Sequence, residues 1–257
     1  MWLARRSARV IAPVHSADAP LPGKTGAGAP ALFRTRDDTL AARGGLTLRC
    51  PHPSEGRAML FAHLGSEPRI HPDAVVAPTA VISGDVTIGP GCQVLHGAVL
   101  TAEGSPIVLG AHTIVMENAL VRASSTHAVH VGAHTLIGPM ASIAGADIGD
   151  DVFLATGTRI FNGAEIGDRS EVRINAVVHV RTVLPADSVV PISWVAVGDP
   201  LLILPPERHE EIWAAQRELD FPGYVFGLDR ETPDLMVQLT ERYGRSLSRH
   251  ADDRRLG

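Results

Sequence analysis

The middle of this 257-residue chain carries imidazoles, one guanidinium and two carboxylates at positions where they could do chemistry. His127 and His130 fall in Ser124-Ser125-Thr126-His127-Ala128-Val129-His130, and His96 in Val94-Leu95-His96-Gly97-Ala98. A neutral imidazole can ligate a metal or take a proton as a general base. Arg122 stays charged at any working pH, and its planar fork suits a carboxylate or phosphate. A buried cation must be paired to be tolerated, and Glu103 and Glu117 offer partners. Spacing brings no three histidines to one point, since His112, His134 and His179 are also scattered. Each histidine reads better as a corner or surface residue with an ordinary hydrogen bond, and His127 and His130 are the exceptions to test first.

These residues must be positioned by a six-residue period. Aliphatic side chains stand at Ile70, Val76, Ile82, Ile88, Val94 and Leu100, then after an insertion at Leu109, Val115 and Val121. A second insertion precedes Val131, Ile137 and Ile143. A one-residue deletion precedes Ile148, Leu154, Ile160, Ile166, Val172, Val178, Leu184 and Val190. A small or β-branched residue often follows four positions later, as in Ala80, Cys92, Ala98, Thr113, Ala119 and Thr135. A coil of three short strands needs one large inward side chain per strand and a small residue or glycine where the chain turns. The pattern therefore predicts a parallel β-helix of hexapeptide repeats, its turns stacked about 4.8 Å apart. A sandwich would alternate with period two between irregular turns, and a helix would show a 3.6-residue pattern. The core is a column without a central pocket, so ligands must bind outside it, in grooves between coils or subunits.

Only 4% of the residues are aromatic, which fits a narrow aliphatic interior. The formal net charge of -5 divides unevenly: residues 1–58 hold nine basic and four acidic groups, and the remainder 14 and 24. Nothing in this points to nucleic acid. No apolar run approaches a membrane span. Cys50 and Cys92 are the only cysteines, so neither a disulfide framework nor a cysteine zinc cluster is available. Cys92 occupies a small-residue slot of the repeat, and a reducing, cytoplasmic location is expected.

Residues 1–58 lack periodicity and are rich in Ala, Arg, Pro and Gly, which predicts disorder. Their basic start is similar in composition to an organelle transit segment. One lysine against 22 arginines suggests a GC-rich coding sequence, and the favoured reading takes Met59 as the true start and the preceding stretch as spurious leader. Residues 59–200 form the expected β-helix domain, with a final strand and exit turn at Trp194-Val195-Ala196-Val197-Gly198-Asp199-Pro200. Residues 201–257 form a helical extension. Pro205-Pro206 opens one helix with Ile212, Ala215 and Leu219 on one face. Thr232-Pro233-Asp234 opens another, with threonine as cap and Met236, Leu239 and Tyr243 at helical spacing. Such helices would cover strand edges left open by the coil.

From about Met59 to Pro200 the chain resembles the γ-carbonic anhydrase family of the left-handed β-helix superfamily. The resemblance rests on the coil series, Val94-Leu95-His96-Gly97-Ala98-Val99-Leu100, the insertion after it, Leu109-Gly110-Ala111-His112-Thr113, and Val195-Ala196-Val197-Gly198-Asp199-Pro200. It implies a homotrimer with sites between subunits and three histidines on a zinc-type ion, whose bound water becomes the nucleophile towards carbon dioxide. In this alignment Arg122, Pro139 and Ala144 stand at the three ligand positions, and none can bind a metal. Thr101-Ala102-Glu103 replaces the family's Arg-Gly-Asp step and Met116-Glu117 its Gln-Asp pair. Zinc-dependent hydration is therefore not expected.

Two functions of different class remain. In one, the protein is a structural or small-ligand-binding trimer in which Arg122 pairs with Glu117 or Glu103 and replaces the metal's charge. In the other, it resembles the hexapeptide acyltransferases and thioesterase-like members. That resemblance implies coenzyme A or an acyl carrier in the intersubunit groove, His127, His130 or His96 as base, and Arg122 holding a carboxylate or phosphate.

Overall fold

A computed structural model describes residues 58–256. The reading of residues 1–58 as disorder or leader therefore falls outside the described residues, Ala58 excepted, as does Cys50.

The described chain winds into three sheets, one of ten strands and two of seven. The six-residue period sets their register. In the ten-stranded sheet Ile82, Leu100, Val121, Ile143, Ile160, Val178 and Ala196 lie in line on successive coils. Ile88, Leu109, Val131, Ile148, Ile166 and Leu184 line up in one seven-stranded sheet. Val76, Val94, Val115, Ile137, Leu154, Val172 and Val190 do so in the other. Eighteen of the twenty repeat positions are buried; Ile70 and Val76 are only half-buried, because the first coil has a neighbour on one side alone.

The small-residue slots follow from the same stacking. Thr113 is fully buried and its hydroxyl donates to the Gly132 carbonyl at 2.7 Å, so a polar corner residue is satisfied between coils. The Cys92 thiol donates to the Gly110 carbonyl at 2.9 Å, and burial pushes its pKa up. At Gly110 a Cβ atom would meet the Gly132 carbonyl carbon at 2.6 Å, so no side chain fits between these coils.

Both ends of the ten-stranded sheet carry antiparallel strands. Leu202–Leu204 folds back on Val195–Val197, and Arg254–Leu256 returns from the C-terminus to pair with Met59–Ala62. They cover edges that would otherwise expose unpaired backbone groups. The returning strand, next to the first coil, is not foreseen by the period. The insertions after Leu100 and Val121 stack at one corner, with the Glu103 amide donating to the Ala123 carbonyl and the Ser105 amide to the Ser124 carbonyl, both at 3.0 Å.

Helix α1 spans His209–Glu218, α2 Phe221–Phe226 and α3 Leu235–Leu247. In α1, Ile212 is buried and Ala215 packs on Val180, Val197 and Leu219, as the apolar spacing predicts. Helix α3 starts later than expected: Asp234, not Thr232, is its cap, and Met236 stands exposed while Leu239 turns inward to a cavity. Helix α2 is not foreseen from apolar spacing, being a single capped turn and a half with Pro222 in its first turn. Among the described residues no helix is long and apolar enough to cross a membrane.

Candidate functional site

The outward face of the ten-stranded sheet carries the site. Thr101, Arg122 and Ala144 are register partners on three successive coils. Phe161 and His179 stand one residue past the inward Ile160 and Val178 of the next two. This column forms one floor, α2 and α3 lie over it, and the corner insertion Ser124–Thr126 closes a side. The partly open cavity has a volume of about 490 Å³ and is lined by, among others, Glu103, Arg122, Ala144, Asn162, Tyr243 and Arg242. Two guanidiniums face it against one carboxylate.

Arg122 Nη2 donates to Glu103 Oε1 at 2.6 Å, and the guanidinium lies 5.8 Å from the Tyr243 ring centroid. The Glu103 side chain is 8% exposed and that of Arg122 32%, so the carboxylate depends on protein partners. Its second partner is His250, whose Nε2 lies 3.0 Å from Oε1. His250 Nδ1 lies 2.8 Å from Asp253, and the other Asp253 oxygen takes His63 Nδ1 at 2.5 Å. The two imidazoles stack at 4.2 Å between centroids and 18° between planes. With a carboxylate at each nitrogen, His250 satisfies both contacts only as the doubly protonated imidazolium. Burial opposes that charge, but the hydrogen bonds to Asp253 and Glu103 outweigh it and raise the pKa. Asp253 is held low in the same way: burial would raise its pKa, and the bonds from His250 and His63 prevail.

No family model matches the chain. Among curated proteins, mitochondrial gamma carbonic anhydrase 1 of Arabidopsis thaliana is 28% identical over 151 residues, 56% of this chain and 53% of that protein. The carnitine operon protein CaiE of Salmonella agona is 32% identical over 112 residues, 43% of this chain and 56% of that protein. This is a γ-carbonic anhydrase-like hexapeptide-repeat protein. The chain spans about half the length of the curated relatives it matches. A Bacillus cereus structure described as a putative acetyltransferase aligns with a TM-score of 0.50 at 20% identity, over 74% of this chain and 98% of that one. That likeness concerns the fold alone.

The zinc ion that the γ-carbonic anhydrase resemblance implies does not fit the residues at the aligned positions. A guanidinium, a pyrrolidine ring and a methyl group, those of Arg122, Pro139 and Ala144, offer no donor. Arg122 and Ala144 do meet as register partners on the pocket floor. Pro139 is not among the lining residues. The ligand atoms of His63, His250 and Asp253 lie within 4.8 Å of one another and are metal-binding types. Their rings, however, are nearly parallel. In-plane lone pairs on such rings cannot converge on one ion at about 2.0–2.1 Å, and the shared Asp253 carboxylate accounts for the pair instead.

Of the residues singled out in the γ-carbonic anhydrase-like sequence, Arg122 and Glu103 are brought together. Glu117, grouped with them, is not: it forms no ion pair among the described residues and does not line the cavity. Register explains the difference, because Glu117, two residues past the inward Val115, lies at a turn just before the left-handed Asn118. The histidines do not converge. His96 Nδ1 is 2.8 Å from Thr79, and His130 Nδ1 is 2.7 Å from Asp147 in an exposed pair. His127 Nδ1 is 2.9 Å from Thr126, with its ring 4.9 Å from that of Tyr224. His112 and His134 stack on each other at a corner. His179 is buried against Phe161 and Phe221, and burial lowers its pKa.

Sequence reasoning missed Asn162, His250, Asp253 and the aromatic roof. One signal was present: Phe221, Tyr224, Phe226 and Tyr243 cluster near the end of a chain that is otherwise poor in aromatic residues.

Proposed function

We propose that this γ-carbonic anhydrase-like protein is a trimer without zinc-dependent carbon dioxide hydration, which holds a small anionic molecule in the pocket on its ten-stranded sheet. The observation that carries this reading is the Arg122–Glu103 pair on the pocket floor, beside Ala144. A fixed cation stands where the resemblance places a metal ion, and a guanidinium attracts what a metal would attract while repelling the metal itself. Asn162, 6% exposed, adds an amide to the lining.

The trimer rests on the family resemblance and on apolar side chains left outside. Val75, Phe153 and Val189 are exposed on one seven-stranded sheet, as expected of a surface that a second copy covers. A cytoplasmic location is part of the same reading and rests on a chain with only two cysteines. Acyl transfer with coenzyme A or an acyl carrier ranks second, because no histidine is among the cavity's lining residues and His127 is engaged with Thr126.

The test is a carbon dioxide hydration assay on the purified protein supplied with zinc. The reading expects no rate above buffer. Turnover that a chelator abolishes would overturn it.

A further inference from the structure

The composition of the pocket wall narrows the ligand. The chain has six phenylalanines, three tryptophans and two tyrosines, and five of these eleven, including both tyrosines, line this one cavity. Part of the clustering serves packing: Phe161, Phe221 and Tyr224 sit against the buried Val180, Val197 and Leu219 and fasten α2 to the coil. That role reaches Phe226 only through its edge-to-face contact with Phe221, 5.8 Å between centroids, and does not extend to Tyr243. These two meet edge to face, 5.9 Å between centroids, outside that cluster, and Tyr243 remains 38% exposed. They form an aromatic surface facing open space beside a cation.

The polar groups gather at the same wall. Arg122 commits one nitrogen to Glu103, and its side chain forms no other hydrogen bond among the described residues. Arg242 reaches only the Gly227 carbonyl, at 3.4 Å. The Asn162 amide, nearly fully buried, forms no side-chain hydrogen bond among the described residues. Unused donors on two guanidiniums and an amide are matched by a planar oxyanion, which takes guanidinium nitrogens in pairs. A planar π-system matches Phe226 and Tyr243, since aromatic pairs gain about 0.5–1.5 kcal/mol beyond area burial. A volume of about 490 Å³ lies in the range of small-molecule sites.

We infer that the pocket binds an aromatic carboxylic acid, its carboxylate held by Arg122, Arg242 and Asn162 and its ring set against Phe226 and Tyr243. This inference rests on the anionic-ligand reading above and deepens it.

The experiment is calorimetric titration of the full chain with three probes: 2-naphthoate, 2-naphthamide, and the saturated decahydronaphthalene-2-carboxylate. The acid should bind about tenfold or more tightly than the amide, as expected for loss of a charged hydrogen bond. It should bind roughly three- to tenfold more tightly than the saturated acid, the equivalent of the aromatic pair energy. Arg242→Gln, at an exposed helix position, should remove most of the preference for acid over amide. Tyr243→Leu should remove the preference for the aromatic acid over the saturated one. Equal affinity for the two acids would overturn the aromatic assignment and leave the anionic reading standing. No binding of either acid to a folded protein would overturn both.

Discussion

Arg122 Nη2 and Glu103 Oε1 are 2.6 Å apart, and the bond joins neighbouring coils of the β-helix across the wall of the cavity. Glu103 depends on the pair more than Arg122 does, whose side chain is 32% exposed. Glu103 is nearly buried, and a buried carboxylate without a cation bears the full cost of its lost hydration.

Arg122→Ala leaves Glu103 with His250 as its remaining partner. Breaking a fully buried pair costs about 3–5 kcal/mol, and partial exposure of Arg122 reduces this to about 1–3 kcal/mol. Urea denaturation measures it. Glu103→Gln in the same background should recover part of the loss, and an unchanged midpoint in Arg122→Ala would show that the pair has no structural role.

His250 gives the fold a pH dependence with a defined sign. It faces Glu103, Asp253 and His63, with Arg122 beyond Glu103. Its folded pKa is raised, so the stability it adds is fully present below the unfolded value of about 6.5 and is lost as pH rises through the folded value. Asp253 is depressed, so its contribution is present above about pH 3.9 and is lost as pH falls through the folded value. The contacts that hold the returning strand Arg254–Leu256 should therefore be strongest in mildly acidic solution. Melting temperature should fall between pH 6 and 8.5, and His250→Gln should flatten that slope. A slope unaffected by the substitution would assign the dependence elsewhere.

Gly163 sets how closely α2 docks. Its φ is +71°, and a Cβ there would collide with the Tyr224 hydroxyl. Gly163→Ala should cost about 1–2 kcal/mol for the left-handed backbone alone and displace α2 from the coil. The β-sheet circular dichroism should persist while limited proteolysis cuts the C-terminal helices sooner than in the parent. Equal resistance would mean that Tyr224 moves without cost.

The coil was legible because one large side chain per strand must fill a column of constant width, which imposes a period on the sequence. The family resemblance puts Arg122 and Ala144 at two of its three ligand positions, and the structure makes them register partners. The pocket roof was not legible. Helix α2 has too few residues to show an amphipathic repeat, and Tyr243 and Arg242 reach the site from more than a hundred residues away in sequence. His250 and Asp253 depend on the C-terminal strand returning to the first coil, and a period confined to residues 70–190 carries no information about that contact. Glu117 is grouped with Arg122 because Met116-Glu117 stands at the family's Gln-Asp pair, but it lies at a turn before the left-handed Asn118 and does not line the cavity.

The most direct measurement is zinc per chain, by elemental analysis after saturation and desalting, in the parent protein and in the triple substitution Arg122→His, Pro139→His, Ala144→His. The account predicts negligible zinc in the parent and more in the triple variant, where imidazoles at 122 and 144 stand as register partners. Stoichiometric zinc in the parent would contradict it.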